Sequence, residues 1–144
     1  MHIREMGPRD ADAWRERRGR LWSEDLNTDV DDFLAGRGHA VVAAFVLDRG
    51  DGEVGGFIEL SRRSYAEGCD TAPVPYIEGW YVDTDLRRAG VGRRLVERAE
   101  EWARQNGHSE IASDCELMNR VSQVAHTRLG FEEVDRIVCF RKKL

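Results

Sequence analysis

Basic residues do not outnumber acidic ones in this chain of 144 residues: 22 Lys and Arg stand against 27 Asp and Glu, a net charge of −5. Proteins that hold nucleic acid through its backbone gather Lys and Arg on one face, so nucleic acid is not an expected partner. An acidic balance suits a cationic partner instead. Long apolar runs are also missing. None approaches the roughly 20 residues that a membrane helix needs, so no membrane association is expected. The start, Met1-His2-Ile3-Arg4-Glu5, lacks a basic head followed by an apolar stretch. No secretory leader is expected from it, and the cytoplasm is the expected location. Cysteine is scarce: Cys69, Cys115 and Cys139 are odd in number and far apart, which excludes a disulfide framework or a C-x-x-C metal site. They read as buried or half-buried thiols, and no metal is expected. Repeats, low-complexity stretches and linkers are absent too, so residues 1–144 form one domain, long enough to bury roughly two thirds of its unfolded surface.

What is present alternates between strand and helix signals. Ile3 and Met6 suit a short first strand before Gly7-Pro8, and Asp10 stands where a cap should precede a helix reaching about Leu21. Asn27 to Asp32 begins a second helix, with Val30, Phe33 and Leu34 at helical spacing. The apolar run Ala40–Leu47, the turn Asp48-Arg49-Gly50-Asp51-Gly52 and the segment from Val54 to Leu60 form a hairpin. After an irregular connection, Tyr76 to Val82 returns as a strand. Val91, Leu95, Val96, Ala99, Trp102 and Ala103 then make one apolar stripe, with Gly107 as the stop. Ile111–Ser113 is a short strand, and Val121, Val124, Ala125 and Leu129 mark another helix, ended by Gly130. Phe131–Leu144 offers two more strands around Asp135. The order β-α-α-β-β-β-α-β-α-β-β predicts an α/β fold (α+β) with a single mixed, mostly antiparallel sheet and helices on both faces.

The segment Trp80-Tyr81-Val82-Asp83-Thr84-Asp85-Leu86-Arg87-Arg88-Ala89-Gly90-Val91-Gly92-Arg93 runs from a strand through a glycine-bearing turn into that striped helix. A dinucleotide fingerprint would need glycine at position 95, which is Leu95, and no Gly-Lys-Ser/Thr follows for a P-loop. What remains is a helix N-terminus with unpaired N–H groups, glycines that let a pyrophosphate reach the backbone, and Arg87, Arg88 and Arg93 around it. By themselves the glycines also fit a tight turn that holds nothing.

Arg87-x-x-Gly90-x-Gly92, five residues after Val82 on a strand, resembles the acetyl-CoA loop of the GNAT superfamily of N-acetyltransferases, as do Asn119, Ala125 and Leu129-Gly130-Phe131 downstream. The linker residue Thr84 replaces a usual proline, and His126 stands where many members place a tyrosine acid. Within the superfamily, Leu21-Trp22, Tyr65-x-x-Gly68-Cys69-Asp70-x-x-Pro73-Val74, Glu78-Gly79, Ala112-Ser113-Asp114, Ser122-Gln123 and Phe140-Arg141-Lys142 are similar to the aminoglycoside 6'-N-acetyltransferases of the dimer-forming kind. The resemblance implies an acetyl-CoA-dependent acyltransferase in which an amine of an aminoglycoside attacks the thioester directly, an antibiotic-resistance chemistry, carried out by a homodimer. It implies a cofactor site of Trp80, Tyr81, Val82, Arg87, Arg88, Ala89, Gly90, Val91, Gly92 and Arg93, with Asn119 near the sulfur. In the superfamily, the strand leading to the loop splays from its neighbour, and the Val82 N–H faces the thioester carbonyl.

Glu78 is a carboxylate inside an otherwise apolar strand, which is costly unless paired or facing a cleft. Strand alternation places it on the face of Trp80. Asp114 ends a strand at the carboxyl edge, where open α/β sheets bind ligands, or serves as a helix cap. By resemblance, Glu78 and Asp114 hold substrate ammonium groups and one of them receives the amine proton, with Asp135 as a third carboxylate. Trp22 and Tyr65 are implied walls for an aminosugar ring. His126 is either the replacement acid or a surface histidine. The same carboxylates serve a polyamine, another small amine or a protein amino group, and a non-catalytic acyl-CoA-binding module is the reading outside catalysis. The short apolar run Ile137-Val138-Cys139-Phe140 would leave an exposed edge unless a second copy covers it.

Overall fold

The computed structural model describes residues 1–23 and 27–144. Five strands lie in one sheet in chain order: β1 (His2–Glu5), β2 (Ala43–Asp48), β3 (Val54–Arg63), β4 (Val74–Val82) and β5 (Ala112–Ser113). The first four pair antiparallel, and β5 runs parallel to β4. Helices α1 (Ala11–Leu21) and α2 (Asn27–Leu34) precede β2, α3 (Val91–Gln105) crosses from β4 to β5, and α4 (Arg120–Arg128) follows. No helix among the described residues is long and apolar enough to cross a membrane.

Each sheet face has its own core, because alternation along β2 and β3 sends neighbours to opposite sides. Phe45, Leu47, Ile58 and Leu60 meet the α3 stripe of Val91, Leu95, Val96 and Ala99 on one face. Ala44, Val46 and Phe57 meet Met6, Trp14 of α1 and Val30 of α2 on the other. At the end of α3 the Gly107 φ of 82° turns the chain, and the His108 N–H closes on the Ala103 carbonyl at 3.0 Å. Asp10 departs from its expected role. Its side chain makes no cap bond to α1 and instead accepts from Arg4 twice at 2.8 Å and from the Gly7 N–H.

Two expectations fail in informative ways. Between β3 and β4 the register slips: Glu59 faces Gly79 while Leu60 faces Ile77, leaving Glu78 as an extra residue in β4. Ile77 and Trp80, an odd number of residues apart, therefore share the α3 face. Glu78 bonds to Ser61 and Arg63, which alternate with Leu60 and share the α1 face with Glu59. Glu78 is thus on the face opposite Trp80 and Val82, and simple alternation is overturned by this bulge. The second failure is at the end of the chain. Residues 131–144 contain no strand, because β5 is two residues long and offers almost no edge to pair with. Phe131 still packs on the α3-side core, but Val134, Ile137, Val138 and Phe140 are exposed, as are Val121 and Val124 of α4. Cys69 and Cys115 are half-buried as expected, whereas Cys139 is exposed with this tail.

Candidate active site

β5 pairs only with Tyr76 and Ile77 of β4. From Glu78 onward the outer edge of β4 has no strand beside it among the described residues. The Asp83 N–H donates to the Gly55 carbonyl, so the antiparallel ladder turns the backbone groups of Tyr81 toward β3 and those of Trp80 and Val82 outward. The Arg87 guanidinium donates to the outward Val82 carbonyl at 3.0 Å. The splayed strand expected from the sequence is therefore present, with the N–H groups of Trp80 and Val82 along its open edge.

This edge leads into the turn at the head of α3. Arg88 and Gly90 both adopt left-handed backbone, with φ of 66° and 77°, and Gly90 caps the helix. Arg88, Ala89 and Gly90 are exposed, and Val91 is buried in the core. Arg93 turns to α4 and donates to the Arg128 carbonyl at 3.2 Å. Gly92 is not solvent-facing: a Cβ there would lie 3.1 Å from the Trp80 ring. The Trp80 Nε1–H beside it is buried with no partner among the described residues. An orphaned donor, an open strand edge and a helix N-terminus in line form the set of donors that a long polar acyl carrier needs.

His126 sits on the same side of the sheet, edge-on to Trp80 and Phe131 at 5.5 and 5.3 Å between ring centres. Its Nδ1 lies 2.7 Å from the Ser122 carbonyl, an acceptor only, so Nδ1 carries hydrogen. Its Nε2 meets the Ser113 hydroxyl at 2.8 Å. The Asn119 Oδ1 caps α4 by accepting from the Ser122 N–H.

The carboxylates occupy the opposite side. Glu78 Oε1 accepts from the Ser61 hydroxyl at 2.6 Å and from Arg63 Nε at 2.8 Å, and Oε2 accepts from Arg63 Nη2 at 2.9 Å. Asp114 Oδ2 accepts from the Tyr76 hydroxyl at 2.8 Å. Burial and the Asp114 carboxylate push the Tyr76 hydroxyl well above the usual phenol range, so it remains a donor at neutral pH. A cavity of about 390 Å³, within the range for a drug-sized ligand, opens here between Glu78, Trp22, Arg18, Asp29, Glu59 and Ser61. The Trp22 indole closes it against Gly79, where a Cβ would approach within 2.8 Å.

Beneath the cavity Glu59 is buried and accepts from Trp14 Nε1 at 2.8 Å and from Arg18 at 3.0 and 3.1 Å, while Arg18 also reaches Asp29 at 3.4 Å. Burial pushes the Glu59 carboxyl up, and the Arg18 guanidinium opposes that shift. Of the residues expected from the sequence, Trp22 and Glu78 line the cavity. Asp114 is bound to Tyr76, Tyr65 is 69% exposed, and Asp135, which accepts from the Arg136 N–H, is exposed on the tail; none of the three lines it. The sequence reading missed Ser61, Arg63 and Tyr76. Two-residue spacing from Glu59 and from Glu78 is the signal that would have found them.

The profile of the Acetyltransferase (GNAT) family matches residues 8–131. An aminoglycoside N(6')-acetyltransferase type 1 of Klebsiella aerogenes is 41% identical over 146 residues, covering 99% of this chain and 96% of the relative. The structure of AAC(6')-Iy in complex with the bisubstrate analogue CoA-S-monomethyl-acetylneamine superposes with a TM-score of 0.88 at 34% identity, covering 99% of this chain and 98% of that one. The apo aminoglycoside 6'-N-acetyltransferase AAC(6')-IG of Acinetobacter haemolyticus gives 0.86 at 32% identity, covering 100% and 99%. A splayed β4 edge running into the N-terminus of a long amphipathic helix, in a chain this similar throughout its length, places the protein in the Acetyltransferase (GNAT) family.

Proposed function

We propose that the protein transfers an acetyl group from acetyl-CoA to the 6'-amine of an aminoglycoside. The observation that carries this reading is the two-sided site: an open strand edge continuous with the α3 N-terminus on one side, and on the other a cavity lined by Glu78, Glu59 and Asp29, with Asp114 held by Tyr76 on the same face of the sheet. The names and complexes of the similar proteins support the acceptor.

Bound acetyl-CoA supplies the acetyl group as a thioester and departs as the thiol. The α3 N-terminus and the turn through Gly90 and Gly92 hold the pyrophosphate, with Arg88 adding charge. The outward N–H groups of Trp80 and Val82 hold the pantetheine arm and polarise the carbonyl. Glu78, at the head of the open edge, accepts the amine proton at one of its carboxylate oxygens. Asp114, fixed by Tyr76, holds a second ammonium group, and Trp22 gives the sugar ring an apolar wall. On the thiol side, His126 in its imidazolium form, with hydrogen on both nitrogens, passes the Nε2 proton to Ser113 Oγ while that hydroxyl gives its own proton to the departing CoA thiolate.

The protein also forms a homodimer, in which a second copy covers the apolar tail. Its expected surroundings are the cytoplasm. CoA release measured over aminoglycosides bearing a 6'-amine, against analogues with a hydroxyl there, tests the function. Rapid release with the first set and none with the second is expected. Equal rates would remove the regiochemical assignment.

A further inference from the structure

The proton acceptor assigned above is occupied in the free protein. Oε1 of Glu78 accepts two hydrogen bonds, from Ser61 and Arg63, and Oε2 accepts a third from Arg63. A carboxylate so engaged has little lone-pair capacity for an incoming ammonium. The fork–fork geometry of Arg63 is the strong form of this contact. The same guanidinium lies 3.6 Å from the centre of the Tyr76 ring, whose hydroxyl binds Asp114. Arg63 therefore stands over both carboxylate positions, bonded to one and stacked on the residue that anchors the other. It is the last residue of β3 and its side chain is 41% exposed, so it can swing outward without disturbing the sheet.

Protonation chemistry offers no way to clear it. Glu78 raises the Arg63 guanidinium further above its ordinary range, so Arg63 is charged at every working pH. Only another cation can take its place. The nitrogen that reacts must lose its own proton and cannot serve as that cation while it attacks. The ammonium that drives Arg63 off must come from a different nitrogen of the same molecule, held at Asp114 beside the Tyr76 ring on which Arg63 stacks, so that Glu78 is left free to take the proton of the reacting nitrogen.

We propose that Arg63 is a resident competitor for the acceptor site, and that it restricts turnover to acceptors carrying a second amine able to displace it from Glu78. The inference rests on the acetyl-transfer reading and sharpens it, because it names the feature that separates a polyamine aminosugar from a simple amine. Trp22 and the cavity walls select a sugar; Arg63 selects charge. Its role is specificity, with no part in bond making.

The test compares neamine, an aminoglycoside core with several amines, with 6-amino-6-deoxyglucose, which has one. The variants are Arg63→Gln, which removes the cation, and Arg63→Lys, which keeps a point charge without the fork. Arg63→Gln is expected to raise kcat/KM for the single amine by about tenfold, and to lower the neamine KM by about threefold with kcat little changed, the scale of a half-exposed charge pair. Arg63→Lys should restore most of the preference. A merely structural arginine would lower both activities together and leave their ratio unchanged, which would overturn the proposal. A second readout needs no turnover: the Arg63 Nε–H resonance of the wild-type protein is followed while neamine is added. It should move from a paired toward a free position, and an unmoved resonance at saturating neamine would also overturn the proposal. Failure of the underlying function is separate, since it gives no CoA release with either amine in wild-type protein.

Discussion

The first three quarters of the chain and its last quarter treat apolar residues in opposite ways. In β2, all six residues are buried, and the α3 stripe disappears into the sheet. Beyond Leu117 the same residue types lie open: Met118, Val121, Val138 and Phe140 are each more than 70% exposed. The composition is alike and the outcome differs because of partner layers. Strands β1 to β4 pair in a ladder covered on both faces, whereas β5 ends after two residues and leaves the following segment nothing to pair with. The proposed homodimer would cover this apolar segment, since both copies carry it.

Substitutions on the two sides of this divide should behave differently. The largest effect is expected beneath the cavity, where Glu59→Ala takes two short ionic hydrogen bonds from the buried Arg18 guanidinium and leaves it the longer contact to Asp29. Breaking a buried pair from one side costs about 3–5 kcal/mol, readable as a lower denaturation midpoint. A loss below about 1 kcal/mol would show that water reaches Arg18 and that this core is less dry than its geometry suggests. Next comes Glu78→Gln, which keeps the shape and removes the proposed proton acceptor. A fall in kcat on the order of 10²-fold is expected, while Asp114→Asn should chiefly raise the acceptor KM by about tenfold. The reverse pattern would exchange their roles. Gly92→Val drives a branched side chain into the Trp80 ring. A stability cost of about 1–3 kcal/mol is expected, together with weaker acetyl-CoA binding by calorimetry. Unchanged affinity in a folded variant would detach the loop from the cofactor.

Phe140→Asp should have the smallest effect on the folded chain, within about 0.5 kcal/mol, since that ring is 93% exposed. It should nonetheless turn a dimer into a monomer in sedimentation at micromolar concentration. A wild-type protein that sediments only as a monomer would break the comparison, leaving the tail without its cover.

The parts legible in the sequence were those governed by local rules. The apolar period of α3, the turn after β2 and the glycines on either side of Val91 all describe short stretches whose physics is self-contained. Residues whose roles depend on a neighbouring strand were harder to read. Arg18 belongs to a helix rich in charge and looks like part of a solvated face, yet it is buried against Glu59, which is 41 residues away in the chain. Glu78 was found as a carboxylate out of place, but its side of the sheet was not, because a bulge changes the parity of every residue beyond it. Tyr65 and Asp135 were placed by resemblance alone, and in the single chain both lie away from the cavity.

That bulge also bears on how the protein can change. With Glu78 and Tyr76 on one side of β4, and Trp80 and His126 on the other, the strand acts as a partition between two chemical compartments. With the site as proposed, mutation on the α1 side can alter which amine is admitted while the residues proposed to face the acyl donor stay untouched. Deleting the extra residue would restore plain alternation with both flanks still paired as they are, but it would take the Glu78 carboxylate off the α1 side. Acceptor range is therefore a trait that drift or selection can tune in small steps, behind a wall that holds the donor chemistry constant.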